Sequence, residues 1–306
     1  MTECERIIKE GVLPESFFKP ETICDFYVDE GRKKLWAILI DLLVKFDDVC
    51  RRHNLKYWIS FGGLLGIVRH KGFIPWDDDL DVCMPREDYE ILMSLKEEFL
   101  NPYYLQIPLV DDGYFYSFAK LRNNNTTAIS NVLVYQNFNQ GCFLDIFPLD
   151  NCHKEDIVEN ASAIKELLIL CSTNMKRSNP YLSDSDKQRL IDYPYQNPKL
   201  VYKKMEKIAT KHNAEPSEYV GTNVITFYSP EKMCWKMSDI YPLKEVPFYG
   251  HNVFIPTNPN NVLKQTYNDY MKFPSVEKRG TWHSGALFDP DVPYVENVVR
   301  LRNRNL

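Results

Sequence analysis

The sequence of 306 residues has no long apolar run, no basic surplus and no paired-cysteine pattern. Its most apolar stretch, Leu35 to Val44, is interrupted by Asp41 and falls far short of the ~20 residues that span a bilayer. The start, MTECERIIKEGVLPESFF, lacks a basic segment leading into an apolar one, so no secretory leader is expected. The eight cysteines are scattered without C-x-x-C, which predicts free thiols in a reducing compartment rather than a disulfide framework. Six histidines include no H-x-x-x-H pair, which argues against a structural zinc site. With 37 Lys and Arg against 42 Asp and Glu, the charge of -5 disfavours binding along a nucleic-acid backbone. Neither G-x-x-x-x-G-K-[ST] nor G-x-G-x-x-G occurs, so the usual nucleotide-hydrolase and dinucleotide fingerprints are missing. No fixed-period repeat and no flexible linker are visible.

What is present is globular material: 44% hydrophobic and 13% aromatic residues supply a core. Apolar residues at three- and four-residue steps from Leu35 to Val49 predict a helix over about 29–53. A short strand over 57–61 then turns through Gly62, Gly63 and Gly66 into a short helix ending near Lys71. A second strand is expected over 79–84, and Pro85 opens a helix running towards Phe99. Strand-like runs follow at 103–110, 116–121 and 141–147. Helices are predicted over 157–176, 185–192, 198–212 and 260–271, with a strand at 252–255. The alternation implies an α/β (α+β) fold, with a mixed sheet core flanked by helices and a helical C-terminal elaboration. Its expected parts are an N-terminal helical segment (1–54), a catalytic core (55–150), and a C-terminal region (151–306) that completes the site.

The most unusual stretch is Trp76-Asp77-Asp78-Asp79-Leu80-Asp81-Val82-Cys83-Met84. On a strand, Asp77, Asp79 and Asp81 would share a face, with alternate Cα atoms about 7 Å apart. Such a set repels itself unless a hard divalent cation, Mg²⁺ or Mn²⁺, neutralises it. A solvated acidic turn is the plainer reading. Leu80, Val82 and Met84 disfavour it, because they anchor the strand in a core. A calcium loop fails because Val82 stands where its turn needs glycine. Asp145, flanked by Leu144 and Ile146, needs a partner or a cation if buried. Beside the strand of Asp79 and Asp81 it would complete a three-carboxylate metal site or accept a proton from an attacking hydroxyl. The alternative for Asp145 is a structural ion pair, and Asp150 reads as a loop or cap residue. Lys120 and Arg122, two apart on a strand, share a face and suit phosphate oxygens or solvent equally. Arg69 adds a cation near the glycines, whose N–H groups can meet phosphate. His283 belongs to a polar, aromatic group near the C-terminus with Tyr267, Tyr270, Lys278 and Arg279.

The run from Phe61-Gly62-Gly63-Leu64-Leu65-Gly66 through Arg69, Gly72-Phe73-Ile74-Pro75-Trp76 and the acidic stretch to Asp81 resembles the signature of the LicD family. That family includes bacterial phosphocholine transferases and the fukutin-related proteins. Lys120-Leu121-Arg122, the segment 143–150 and the region 267–279 fit as well, so the resemblance covers about Leu55 to His283. It implies a nucleotidyltransferase-like core with Asp79, Asp81 and Asp145 as metal ligands and catalytic residues. It implies Gly62, Gly63, Arg69, Lys120, Arg122 and His283 as donor-binding residues. The implied activity moves a phospho-alcohol such as phosphocholine from a CDP-activated donor to a hydroxyl of a cell-surface glycan or lipid-linked glycan, releasing CMP. Many relatives carry Ser or Thr where this chain has Gly63. Two rival readings are a D-x-D nucleotide-sugar glycosyltransferase and a non-catalytic binding module that kept the fold. The expected location is the cytoplasm or, peripherally, the inner face of the membrane, for which Arg300, Arg302 and Arg304 make only a weak basic patch. The acidic surplus of five equals the number of carboxylates in Asp77, Asp78, Asp79, Asp81 and Asp145, so an acidic balance is compatible with a phosphate-bearing ligand once a cation is held.

Overall fold

A computed structural model describes residues 1–130, 132–222, 229–280, 283 and 286–304. The chain opens with α1 (Glu3–Lys9), the hairpin β1 (Glu21–Ile23) and β2 (Phe26–Val28), and the long α2 (Glu30–Arg52). The core segment follows as β3 (Trp58–Ile59), α3 (Phe61–Leu65), β4 (Asp81–Pro85) and α4 (Arg86–Ser94). Next come β5 (Tyr103–Gln106), β6 (Ala119–Asn123), β7 (Thr127–Ser130) and β8 (Phe143–Cys152). The rest comprises α5 (Ile157–Lys176), α6 (Asp184–Asp192), α7 (Pro198–Ala209), β9 (Tyr219–Gly221), β10 (Cys234–Lys236), α8 (Met237–Ile240), β11 (Lys244–Phe248), β12 (His251–Ile255), α9 (Pro259–Tyr267), β13 (Ala286–Asp289) and α10 (Tyr294–Arg304). It is a mixed α/β fold, as the alternation predicts.

β8 organises the central sheet. It runs parallel to β4 along one edge, while the other edge takes β6 antiparallel in its first half and β9 antiparallel in its second. β3, β5 and β10 extend the sheet outward. Val82, Met84, Leu144 and Ile146 alternate onto one face and are fully buried, and α2 packs against β6 and β8. Burying these side chains contributes roughly 1.5–3 kcal/mol each. Asp81, Asp145, Phe147, Leu149 and Asn151 line the other face, because alternate residues of a strand point the same way. The candidate site residues Asp81 and Asp145 lie on that second face.

α2 follows its sequence closely. Asp29 caps it by accepting from Arg32 N at 2.7 Å, basic Arg51 and Arg52 occupy its last turn, and Asn54 leaves it at φ 53°. Other boundaries move. β3 keeps only two of the five residues expected, and β4 begins at Asp81 rather than Asp79, so Asp77 to Leu80 approach the strand as irregular chain. β8 runs on past Phe147 to Cys152. Asp150 is therefore a buried strand residue and not a loop or cap: Arg86 donates to both of its oxygens at 2.8 and 2.6 Å. β13 and α10 were not apparent in the sequence; β13 pairs with β7. α10 commits Arg302 to the carbonyls of Val134 and Gln136 and brings Arg300 to Asn297. The Arg304 side chain lies outside the described residues. Among the described residues no helix is long and apolar enough to cross a membrane.

Candidate active site

Three backbone contacts place the acidic run. Asp77 N donates to Ile74 O at 2.9 Å, closing the turn that Pro75 begins. The Asp77 carbonyl then accepts from Arg32 Nη1 at 2.7 Å and Trp36 Nε1 at 3.2 Å, which fixes the run to α2. Further on, Asp145 N donates to Leu80 O at 3.0 Å, joining the run to β8 as β4 begins.

The sheet register aligns the chemistry in one row. Asp81 faces Asp145 across the parallel pair, Asp145 faces Lys120 across the antiparallel pair, and Lys120 faces Gln106. Asp145 thus lies beside the strand that Asp81 opens. In this structure Lys120 Nζ donates to Asp145 Oδ1, the ion pair that the plainer reading of Asp145 anticipates. Lys120 is buried, with its ammonium 3.5 Å from the centroid of Phe143 and 5.2 and 5.4 Å from those of Phe118 and Tyr116. Burial lowers its pKa in spite of the carboxylate.

Asp77 and Asp79 touch side chain to side chain, and the acids are short of counter-charge. Burial and the negative charge of Asp77 push Asp79 well above the usual carboxylate range. Burial, Asp79 and Asp145 do the same to Asp81. Asp77 is raised to about 7 by burial and by Asp78. Asp78, absent from the predicted site, meets His283, whose Nδ1 is 3.2 Å from Asp78 Oδ1 and 3.9 Å from Asp79 Oδ2. Against the effect of burial, the Asp78 hydrogen bond and the charge of Asp79 hold the His283 imidazole above its ordinary pKa. Ligand atoms of Asp78, Asp79 and His283 lie within 4.8 Å of one another. The period-two spacing of Asp77, Asp79 and Asp81 passes over Asp78, and that spacing assumes a strand that begins only at Asp81.

An oxygen-rich donor set with too little positive charge fits a hard divalent cation. A second group of metal-ligand type, His153, His212 and Glu215, fits less well. Its imidazoles are stacked 3.9 Å apart with planes 9° from parallel, so their in-plane lone pairs do not converge.

The glycine pair does two different things. A Cβ on Gly62 would strike the Asp77 carboxylate, so this glycine lets the acid lie against the start of α3. A Cβ on Gly63 would come within 2.6 Å of Ile59 Cγ2 and 2.7 Å of Leu80 Cδ1. Position 63 therefore faces the core, and a hydroxyl there has no path to a phosphate. Gly63→Ser should destabilise the protein by about 1–3 kcal/mol through overpacking, read as a lower melting temperature without improved donor binding.

The two remaining cations are engaged. Arg122 shares the face of Lys120, as its spacing predicts, but it is buried and donates from Nε to Gln106 Oε1 at 2.5 Å and from Nη1 to Gly141 O at 2.7 Å. Arg69 donates to Tyr270 O at 2.6 Å and to His70 Nε2 at 2.9 Å, and its guanidinium lies 5.0 Å from the Phe273 ring centroid. Both hold chain segments around the site instead of pointing free cations at it.

Residues 54–168 match the family model described as "LicD/FKTN/FKRP, nucleotidyltransferase domain". Over 258 residues the chain is 24% identical to "Lipopolysaccharide cholinephosphotransferase LicD" of Haemophilus influenzae, covering 80% of this chain and 93% of that protein. Shorter stretches match uncharacterized rickettsial proteins. One, from Rickettsia prowazekii, is 41% identical over 73 residues, 24% of this chain and 27% of its own length. The other, from Rickettsia typhi, is 48% identical over 69 residues, 22% of each.

Proposed function

Starting from the LicD family, to which this chain belongs, we propose that it is a metal-dependent transferase moving a phospho-alcohol from a CDP-activated donor to a hydroxyl of an envelope glycan. The observation that carries this reading is the cross-strand row of Asp81, Asp145 and Lys120, with Asp79 and His283 beside it. Phosphoryl transfer needs positioned positive charge and a proton acceptor more than it needs covalent chemistry, and this row offers both. The similarity to a lipopolysaccharide cholinephosphotransferase supports phosphocholine as the transferred group and a lipopolysaccharide-type glycan as acceptor.

Asp79 and Asp81, with Asp145 adjoining, are the residues that would hold Mg²⁺ or Mn²⁺. Such an ion supplies Lewis-acid neutralisation of the donor diphosphate. Lys120 and His283 donate to the phosphate oxygens that gain charge as the bond to CMP breaks. Asp145 takes the proton of the acceptor hydroxyl as its oxygen bonds to phosphorus, and CMP departs with the electron pair of the broken P–O bond. The N–H groups at Gly62 and Gly63 lie at the start of α3, where a helix favours anions. Arg69 and Arg122 act through the segments they anchor. We place the reaction in the cytoplasm, where activated nucleotides are made.

The test is CMP release with CDP-choline, CDP-ethanolamine, CDP-glycerol and CDP-ribitol in Mg²⁺, each with and without a glycan acceptor. The expected result is acceptor-stimulated release from one of them, lost in an Asp79→Ala, Asp81→Ala double variant. Turnover of UDP- or GDP-sugars with indifference to every CDP-alcohol would replace this reading by a glycosyltransferase. Failure to bind any nucleotide in Mg²⁺ would leave a binding module.

A further inference from the structure

A cleft of about 790 Å³, within the range of small-molecule sites, opens on the same face of the sheet as the carboxylates but farther along the strands. Its floor is Pro85 of β4, Leu149 and Asn151 of β8, and Val220 of β9. The register pairs Pro85 with Leu149 and Asn151 with Val220, while Leu149 and Asn151 are two and three alternate positions on from Asp145. Leu149 therefore lies about 13 Å from Asp145 along one strand face. Between them is Phe147, with the partly exposed rings of Phe118 and Phe61 centred 4.5 and 5.7 Å from it. The cleft continues the catalytic face across an aromatic step.

Its walls decide what it can hold. Lys203, Glu206 and Lys207 project from one side of α7, and Glu87 and Glu90 from the first turns of α4. Arg86 is neutralised by Asp150, so these five groups set the balance, with two positive charges against three negative. A diphosphate or a nucleic-acid backbone would meet a net negative wall, which separates the cleft from the donor site. Carboxylates that accept and ammoniums that donate hydrogen bonds suit a ligand rich in hydroxyl groups. Leu149, Val220, Met237 and the Tyr241 ring supply the apolar contact that the C–H faces of a sugar ring need. α7 and Tyr241 lie outside residues 54–168 but inside the longer stretch that is similar to the cholinephosphotransferase.

We propose that this cleft is a glycan-binding subsite that holds the acceptor oligosaccharide a few sugar units away from the hydroxyl that reacts. The proposal rests on the reading of the acceptor as a glycan. The experiment uses the full-length protein on an array of immobilised neutral and anionic oligosaccharides, and compares it with a Glu90→Ala, Glu206→Ala, Lys207→Ala triple variant. A second variant, Thr210→Trp, blocks the cleft from the C-terminal end of α7. The expected result is oligosaccharide binding that falls at least tenfold in both variants, with CDP-choline affinity in calorimetry and melting temperature unchanged. In transfer assays the same variants raise KM for the acceptor and leave acceptor-free CMP release alone. The proposal is overturned if the wild type binds no oligosaccharide, if both variants bind as well as wild type, or if donor affinity falls in parallel. Oligosaccharide capture through this cleft without CMP release from any CDP-alcohol would support the subsite and remove the transfer reading, so the two fail separately.

Discussion

Asp81→Asn should lower CMP release by about a thousandfold while raising the melting temperature of the metal-free protein. The two effects have one source. Asp81 faces Asp145 across the sheet and is close to Asp79, and burial together with these two charges holds its carboxyl well above the ordinary range. In the folded protein without a cation the ionised form is therefore disfavoured, and an amide of the same shape removes that repulsion. With a cation the balance reverses, because a carboxylate that repels its neighbours is the one that holds the ion. Losing one carboxylate ligand forfeits several kcal/mol of charge stabilisation at the diphosphate, and about 4 kcal/mol corresponds to three decades in rate. Addition of Mg²⁺ should stabilise the wild type by about 2.7 kcal/mol at a hundred times its dissociation constant, and should do much less for Asp81→Asn. Thermal melts with and without Mg²⁺, run beside the CMP assay, check both. A metal-free variant that melts below the wild type would show that Asp81 has a structural role not reduced to charge.

How far this site could be read in advance depended on which physical signal each residue carried. Asp81 and Asp145 were legible because a carboxylate between apolar neighbours on a strand needs a reason, and alternation fixes its face. Lys120 was legible as a cation on a strand face but not as the partner of Asp145, since pairing between distant strands leaves no local mark. Asp78 was not legible at all: its side chain meets His283, 205 residues later, and only the irregular approach to β4 turns it there. Gly63 has a second role that its sequence context does not mark. A glycine in a turn signals freedom of the backbone, yet here it makes room for Ile59 and Leu80.

The fold divides along the same line. α2 and α5 were placed within a residue or two because their amphipathic spacing is a local property. Strand ends were not, since hydrogen bonding to a neighbour decides where a strand stops. β8 runs five residues past its expected end at Phe147 because β9, from a segment beyond residue 210, takes over the edge that β6 leaves. That extension also buries Asp150 against Arg86 and builds the floor of the cleft. One long strand therefore carries the proposed general base, the aromatic step and the cleft, and ties the proposed chemistry to the proposed acceptor site.

Lys120→Met should destabilise the metal-free protein by about 3–5 kcal/mol, a loss that Mg²⁺ largely restores. Methionine keeps the length and apolar contacts of the lysine stem among Phe118 and Phe143, so the change isolates the ammonium. Without it Asp145 stays buried beside Asp81, and the other cation of β6, Arg122, is held by Gln106 and Gly141. A divalent ion can then take both oxygens of Asp145 without competing with an ion pair, so the Mg²⁺ concentration for half-maximal stabilisation should fall. Turnover at saturating Mg²⁺ should nevertheless drop about a hundredfold, the usual cost of removing one donor to a developing oxyanion. Melting curves across a Mg²⁺ titration and CMP release at its plateau separate the two roles. Tighter metal dependence with slow turnover is the signature of a lysine that guards the carboxylate in the empty site and serves the phosphate in the filled one. A variant equally unstable with and without Mg²⁺ would make Lys120 a structural partner of Asp145 and take it out of the reaction.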